Sequence, residues 1–467
     1  MSLGSLSRRE AQSSDDRGNG YLLQSEADLA DAVTYAVERS TALGAGGAIA
    51  RVSEGGGISV TVANGEVENA VRDGNQSLQI TVFDNGRTGI ASTESLARPA
   101  IDRVVEQAIA MARHLEADDE AGLPERDSLA WDSPPVEMFS PSLLTAETLT
   151  QDALAIESAA LAVPTEDQLR VSSAGAASQD MRIALATSQG FCRVSSSSMH
   201  HRWCQAIAHR DSEMHQASWS SDDRQIEHLE SIDHVGAKAA KRALEMLGAE
   251  GLSTRRAPVL VDATVASSLV SDMCGQLTGD AQYQRNTFLP DAVGQMIAAA
   301  HLGVLEDPFE PFGLASTAFD NEGVAGTRRD IVRDGEVQGL FLDTRMGRKL
   351  HCASTGNAGG MRNLTLTSAL TAPGDDLAAM LRKMGTGLWI TRFMGGGSNP
   401  ATGVYSRAVT GFWVENGEVV KAVQGLTVAG NLQDMFKAIS AVGADVHRSG
   451  AVRTGSILLP DMQIAGR

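Results

Sequence analysis

Four Asn-Gly or Asp-Gly dipeptides sit between strand-like runs, and they constrain this chain more than any other local feature. Asn64-Gly65 separates ISVTVA from EVENAVR, and Asn85-Gly86 separates LQITVFD from RTGIAST. Asp334-Gly335 and Asn416-Gly417 repeat the signal in the second half. A two-residue turn of type I′ needs positive φ at both central positions, which Asn, Asp and Gly tolerate, and its twist matches that of paired strands. Antiparallel sheet is therefore expected in both halves.

Helical periodicity fills the intervals. Ser25 caps a first helix that Gly44 stops, and further helices are expected over 96–115, 145–161, 226–247 (ended by Gly248), 375–384 and 432–442. APVLVDATVASSLVSDMCGQL reads as a strand followed by a helix with Val265, Leu269, Met273 and Leu277 turned inward. The class is α+β, with two domains of largely antiparallel sheet and packed helices, the C-terminal one β-rich with Gly-rich loops. At 467 residues the chain exceeds one ordinary core. The expected division is a disordered tail over 1–25, an N-terminal domain over 26–250 with an exposed acidic, proline-rich connection at 117–143, and a C-terminal domain over 251–467.

The net charge of −19 argues against nucleic acid as the main partner, because phosphate binding relies on clustered Lys and Arg. Four cysteines are too sparse for a disulfide framework, which points to reduced thiols and a cytoplasmic setting. The N-terminus lacks the apolar stretch of a secretory signal, and no apolar run is long enough to span a membrane.

No phosphate-binding glycine motif, nucleophile elbow or HExxH zinc helix is present. What stands out instead is glycine-rich backbone, in GGGSNPATGVYSRAVTGFW from Gly395 and in STGNAGGMRNL from Ser354 to Leu364. Both read as walls of a cleft in which main chain approaches a ligand closely. The candidate substrate-binding residues are Asn357, Gly359, Gly360, Asn363, Gly395, Gly396 and Gly397. The two asparagine amides could orient a bound peptide or could hold their own loop.

Other polar groups receive plainer readings. His200, His201, Cys204, His209 and His215 would divide between the two faces of a strand and match no metal spacing. Asp280, Tyr283 and Arg285 read as a cap and a surface ion pair, and Glu306, Asp307, Asp320 and Glu322 as loop residues without an orienting partner.

Taken in order, TGDAQYQRNTFL, EDPFEPFGLASTAFDNEGV, LDTRMGRKL with STGNAGGMRNL, TVAGNLQDMFKAISAVGAD and SILLPDMQIAG resemble the TldD/TldE (PmbA) family. The resemblance is dense from about residue 255 onward and weaker over 26–250. It implies a cytoplasmic zinc-dependent peptidase built from two related subunits and historically labelled a modulator of DNA gyrase. The catalytic subunit of that family carries an HExxxH helix running into Gly-Asp and a cysteine ligand near the C-terminus. Anchored on Gly279-Asp280, the six motif positions fall here on Val270, Ser271, Asp272, Met273, Cys274 and Gly275, and RSGAVRTGSILL holds no cysteine.

The resemblance thus implies the TldE/PmbA type, with no catalytic residue and no metal of its own and with zinc in a TldD-like partner. An extended peptide would bind as an added strand. The alternative is a non-enzymatic peptide-binding or regulatory homodimer. Neither reading involves nucleic acid or membrane.

Overall fold

The computed structural model describes residues 20–466 except 143 and 449. Its N-terminal half contains α1 (Glu26–Ala42), β1 (Gly47–Ala63), β2 (Glu66–Asp84), β3 (Arg87–Thr93), α2 (Arg98–His114), α3 (Ala146–Leu161), β4 (Gln168–Thr187), β5 (Cys192–Arg210), β6 (Glu213–Asp223) and α4 (Ile232–Leu244). The strands form one antiparallel sheet in the order β3-β2-β1-β4-β5-β6. Both expected turns form here, with φ of 55° at Asn64 and 74° at Gly65, and 50° at Asn85 and 72° at Gly86.

All four helices lie on one face of this sheet, as strand alternation dictates. Ala48, Ala50 and Val52 of β1 pack under α1 and α2, whereas Ile58, Val60 and Val62 of the same strand pack under α3 and α4. Between these two cores runs the segment before α1. Tyr21 N donates to Asp180 Oδ2 (2.9 Å), Leu23 N and Gln24 N donate to Glu54 Oε1, and Arg182 Nη1 donates to the Gln24 carbonyl. Of the expected tail, residues 1–19 lie outside the described residues, while Tyr21 and Leu22 are buried.

Two local expectations are corrected. The helix expected over 226–247 is a 3-10 turn at Ile226–His228 followed by α4, because the Ser231 side chain accepts from His234 N and starts a new helix there. The connection at 117–143 is not exposed throughout: Leu129, Ala130 and Met138 are buried. Its acidic residues meet cations of the C-terminal half, Asp118 with Arg345 and Lys349, and Glu125 with Arg348.

The C-terminal half contains β7 (Arg255–Val261), α5 (Ala263–Gly275), α6 (Gly279–Tyr283), β8 (Leu302–Asp307), β9 (Arg329–Arg333), β10 (Glu336–Val337), α7 (Thr344–Lys349), β11 (Asn363–Ser368) and α8 (Leu377–Met384). It continues through β12 (Gly387–Ser398), β13 (Val404–Glu415), β14 (Glu418–Asn431), α9 (Leu432–Ala438), β15 (Ala441–Val442), β16 (Val452–Arg453) and β17 (Ile457–Ala465). A smaller sheet runs β10-β9-β8-β11-β16 and a larger one β14-β13-β12-β7-β17-β15. In the larger sheet β14 also pairs with β17, Thr427 opposite Ala465, so five strands close on themselves as a small barrel. Register shifts at Ile390/Arg392 and Phe393/Gly395 in β12 and at Val409/Gly411 in β13 supply the bending that closure needs.

The helix expected over 432–442 ends at Ala438, since Ile439 turns extended (ψ 118°) and the chain re-enters the sheet as β15. The α+β class with largely antiparallel sheets is as the sequence reading expected, with parallel pairs at β7–β12 and β11–β16.

Helix α2 approaches β3 closely enough that a Cβ on Gly89 would lie 1.9 Å from the Ala108 carbonyl oxygen. Gly89→Ala is expected to lower unfolding stability by about 1–3 kcal/mol, read from the urea midpoint.

Candidate functional site

Helix α5 begins where Asp262 caps Thr264 N, and it carries the six positions at which the resemblance places a zinc motif. Val270, Met273 and Cys274 face inward and are buried in the C-terminal core. Burial, with a smaller contribution from Glu306, pushes the Cys274 thiol up to about 12, as befits a buried core cysteine. Val270 and Gly275 have no lone pair to donate. These side chains do not fit zinc.

The outward side of α5 holds an ion pair instead. Asp272 Oδ1 accepts from Ser398 Oγ (2.9 Å) and Oδ2 from Arg407 Nη2 (3.4 Å). The Arg407 guanidinium lies 4.9 Å from the Phe393 ring centroid and 5.7 Å from that of Tyr405. Asp272 thereby ties the helix to the glycine-rich hairpin. Nothing local in the sequence announces this, because Arg407 is 135 positions away.

In that hairpin Gly395, Gly396 and Gly397 of β12 face Ala408, Arg407 and Ser406 of β13. Gly396 has φ of 84°, and a Cβ there would meet the Ser406 carbonyl oxygen at 2.2 Å. The close backbone approach is thus to the partner strand of the hairpin. On its other edge β12 pairs with β7 only from Leu388 to Ile390. From Thr391 onward that edge has no strand partner among the described residues, and Gly395 and Gly396 are exposed.

The loop from Ser354 to Leu364 is organised around buried polar groups. Asn357 Nδ2 donates to Glu306 Oε1 (2.7 Å) and to the Gly360 carbonyl, while its Oδ1 accepts from Arg329 Nη2 (3.0 Å) and Thr355 Oγ1 (2.7 Å). Asn363 Nδ2 donates to the Asp307 carbonyl and Ser316 Oγ, and its Oδ1 accepts from Ala315 N. Of the two roles open to these amides, holding their own surroundings is the one these bonds describe. Gly359 and Gly360 are both exposed, and Gly359 lies on the lining of a half-open cavity of about 340 Å³ shared with the N-terminal sheet. None of Gly395, Gly396 and Gly397 lines it, so the two glycine-rich blocks do not meet there.

The carboxylates are less loop-like than expected. Glu306 and Asp307 end β8, and buried Glu306 pairs with Arg329 at 3.0 Å. Asp320 is buried and accepts from the N–H groups of Glu322, Val324 and Ala358. Burial raises the Glu322 carboxyl to about 7, although its Oε2 accepts from Thr344 N. Arg285 pairs with Asp291 on the surface, not with Asp280.

On β5, His200 and Cys204 are buried on the helix-covered face, and His200 Nδ1 lies 2.9 Å from Ser178 Oγ. His201, on the opposite face, pairs with Asp222. Among the described residues no cluster of His, Cys, Asp and Glu is arranged to hold a metal ion.

Comparison with known proteins accounts for this architecture. Models of the PmbA/TldA metallopeptidase match in order: domain 1 over residues 48–112, the central domain over 139–247 and the C-terminal domain over 254–466. The chain belongs to the PmbA/TldA metallopeptidase family. It is 36% identical over 440 residues to the metalloprotease PmbA of Escherichia coli O157:H7, covering 94% of this chain and 96% of that protein. It is 35% identical to a PmbA homologue of Haemophilus influenzae, covering 97% and 99% respectively.

Two crystal structures share the fold. A Bacteroides thetaiotaomicron protein provisionally named a modulator of DNA gyrase superposes with a TM-score of 0.87 at 22% identity, covering 94% of this chain and 98% of that one. TldE from Thermococcus kodakarensis superposes with a TM-score of 0.79 at 18% identity, covering 93% and 100%. Within this family fold, the first two matched domains share the single N-terminal sheet. No helix among the described residues is long and apolar enough to cross a membrane.

Two outcomes follow from the site chemistry. Asn357→Ala leaves the Glu306 carboxylate and Arg329 short of a buried partner, and is expected to cost about 2–3 kcal/mol in urea unfolding. Glu322, held near 7 in the fold, keeps its proton while the unfolded chain ionises near an ordinary ~4.3. Its contribution is therefore fully present below the unfolded value and is lost as pH rises through the folded one. Glu322→Gln should flatten the stability profile between these limits, by on the order of 1–2 kcal/mol, in urea midpoints taken across that range.

Proposed function

We propose that this chain is the metal-free, TldE/PmbA-like member of a cytoplasmic peptidase pair. A TldD-like companion would supply zinc, the metal-bound water and the general base for amide hydrolysis. The observation that carries this reading is the state of α5: aliphatic, thiol and glycine positions replace the ligand set, and Asp272 is committed to Ser398 and Arg407. The full-length likeness to PmbA and the structural likeness to TldE support it.

This chain's own part would be to bind and orient substrate. The edge of β12 beyond Ile390 presents main-chain N–H and C=O groups without a strand partner among the described residues. An extended peptide can add to such an edge, which reads backbone more than side chains. Substrates would then be unfolded or flexible segments.

The decisive experiment is co-expression with an HExxxH-bearing relative from the same genome. Co-elution with a gain of chelator-sensitive peptidase activity is expected. Hydrolysis by this chain alone in the presence of chelator would overturn the division of labour. A stable homodimer indifferent to that relative would favour a non-enzymatic peptide-binding or regulatory protein.

A further inference from the structure

The helix-free face of the N-terminal sheet and the loops of the C-terminal half line the half-open cavity of about 340 Å³ at Gly359. Arg51 of β1, Ile183 of β4 and Ser195 and Ser197 of β5 form its floor, all on the face opposite the helices. The segments 315–321 and 359–362 close it from above, and Arg224 stands at its wall.

Three guanidinium groups therefore line one small space, and their partners are unusual. Arg224 is buried and donates to the carbonyl oxygens of Gly313, Ser198 and Leu314. Arg362 Nη2 donates to the Gly356 and Ala358 carbonyls, while its buried Nε has no partner among the described residues. No hydrogen bond or ion pair engages the Arg51 guanidinium among the described residues, and burial alone pulls its pKa down. Arginine still remains charged at neutral pH.

Carboxylates offset these charges only in part. Asp320 is the one acid on the lining, and its oxygens already accept from three backbone N–H groups. Arg362 is faced first by Asp320 and then by Glu306, which also accepts from Arg329, Asn357 and the Arg362 backbone N–H, and Arg224 is faced by Asp223. Arg51 alone of the three has no facing acid among the described residues. In a chain of net charge −19 this is a local inversion of sign. A half-buried cation such as Arg51 is costly unless an anion completes it, and low-dielectric walls focus its field into the space.

We propose that this cavity binds an oxyanion, which Arg51 and Arg362 hold by charge-assisted hydrogen bonds with the hydroxyls of Ser195 and Ser197 as further donors. The anion is a carboxylate, as on an acidic peptide, or a free phosphate. The proposal concerns this chain's own residues and does not depend on the peptidase pairing.

Calorimetric titration of the full chain with inorganic phosphate, with N-acetylated Ala-Glu, and with N-acetylated, C-amidated Ala-Gln as a neutral control tests it. Binding of phosphate or Ala-Glu, weakened by added salt and absent for the control, is the expected result, and the anion that binds identifies the source. Arg51→Met should weaken that binding about tenfold or more and Arg51→Lys by less. The unliganded Arg51→Met protein should melt no lower than the parent, because an uncompensated charge has been removed. Absence of binding by both anions, or affinity unchanged in both Arg51→Met and Arg362→Met, would overturn the assignment.

Discussion

The N-terminal sheet, covered by helices on one face, buries apolar side chains of its other face against the C-terminal half, and that contact organises the molecule. In the N-terminal sheet Ile49, Leu185 and Phe191 emerge on the uncovered side. Leu129 and Ala130 from the connecting segment and Ala318 and Phe319 from the C-terminal half cover them. Phe191 meets Trp131 and Phe319 edge-on, at centroid separations of 5.4 and 5.9 Å. Because the hydrophobic effect has no direction, the aromatic geometry and the Arg348 bonds to Leu123 and Glu125 set the register of the two halves. The cavity over Arg51 is the part of this face that apolar side chains leave unfilled.

The C-terminal half depends on closure of its larger sheet. Bulges bend β12 and β13 until β14 reaches β17, and the barrel then presents the glycine-rich end of β12 to α5. Helix and hairpin are joined by Asp272, Ser398 and Arg407. The apolar side of α5 packs in the core and its polar side enters that ion pair. Beyond Ile390 the outer edge of the hairpin has no strand partner among the described residues.

Much of this was legible beforehand because it depends on neighbours in sequence. Asn64-Gly65 and Asn416-Gly417 forced their turns by φ alone, and Ser25 forms the capping box its position promised, with Asp28 as its reciprocal partner. The family signature around Gly279, Asn357 and Asn363 was equally local. Boundaries failed where a side chain competed for the backbone, as Ser231 did within 226–247. The candidate glycines were recognised as sites of tight backbone, but the partner of that tightness was not: at Gly396 it is Ser406 of the adjoining strand.

The sequence by itself determined the strands, the caps, the family and the lack of zinc donors at Val270 and Gly275, since each is a property of a residue or of its near neighbours. Tertiary structure decided which charges find partners. Asp272 and Arg407, Asn357 and Glu306, and Arg51 with no ion pair among the described residues, are separated by long stretches of chain or face elements from different halves. Side-chain period tells which face a residue takes, but only the packing of two sheets tells what that face meets.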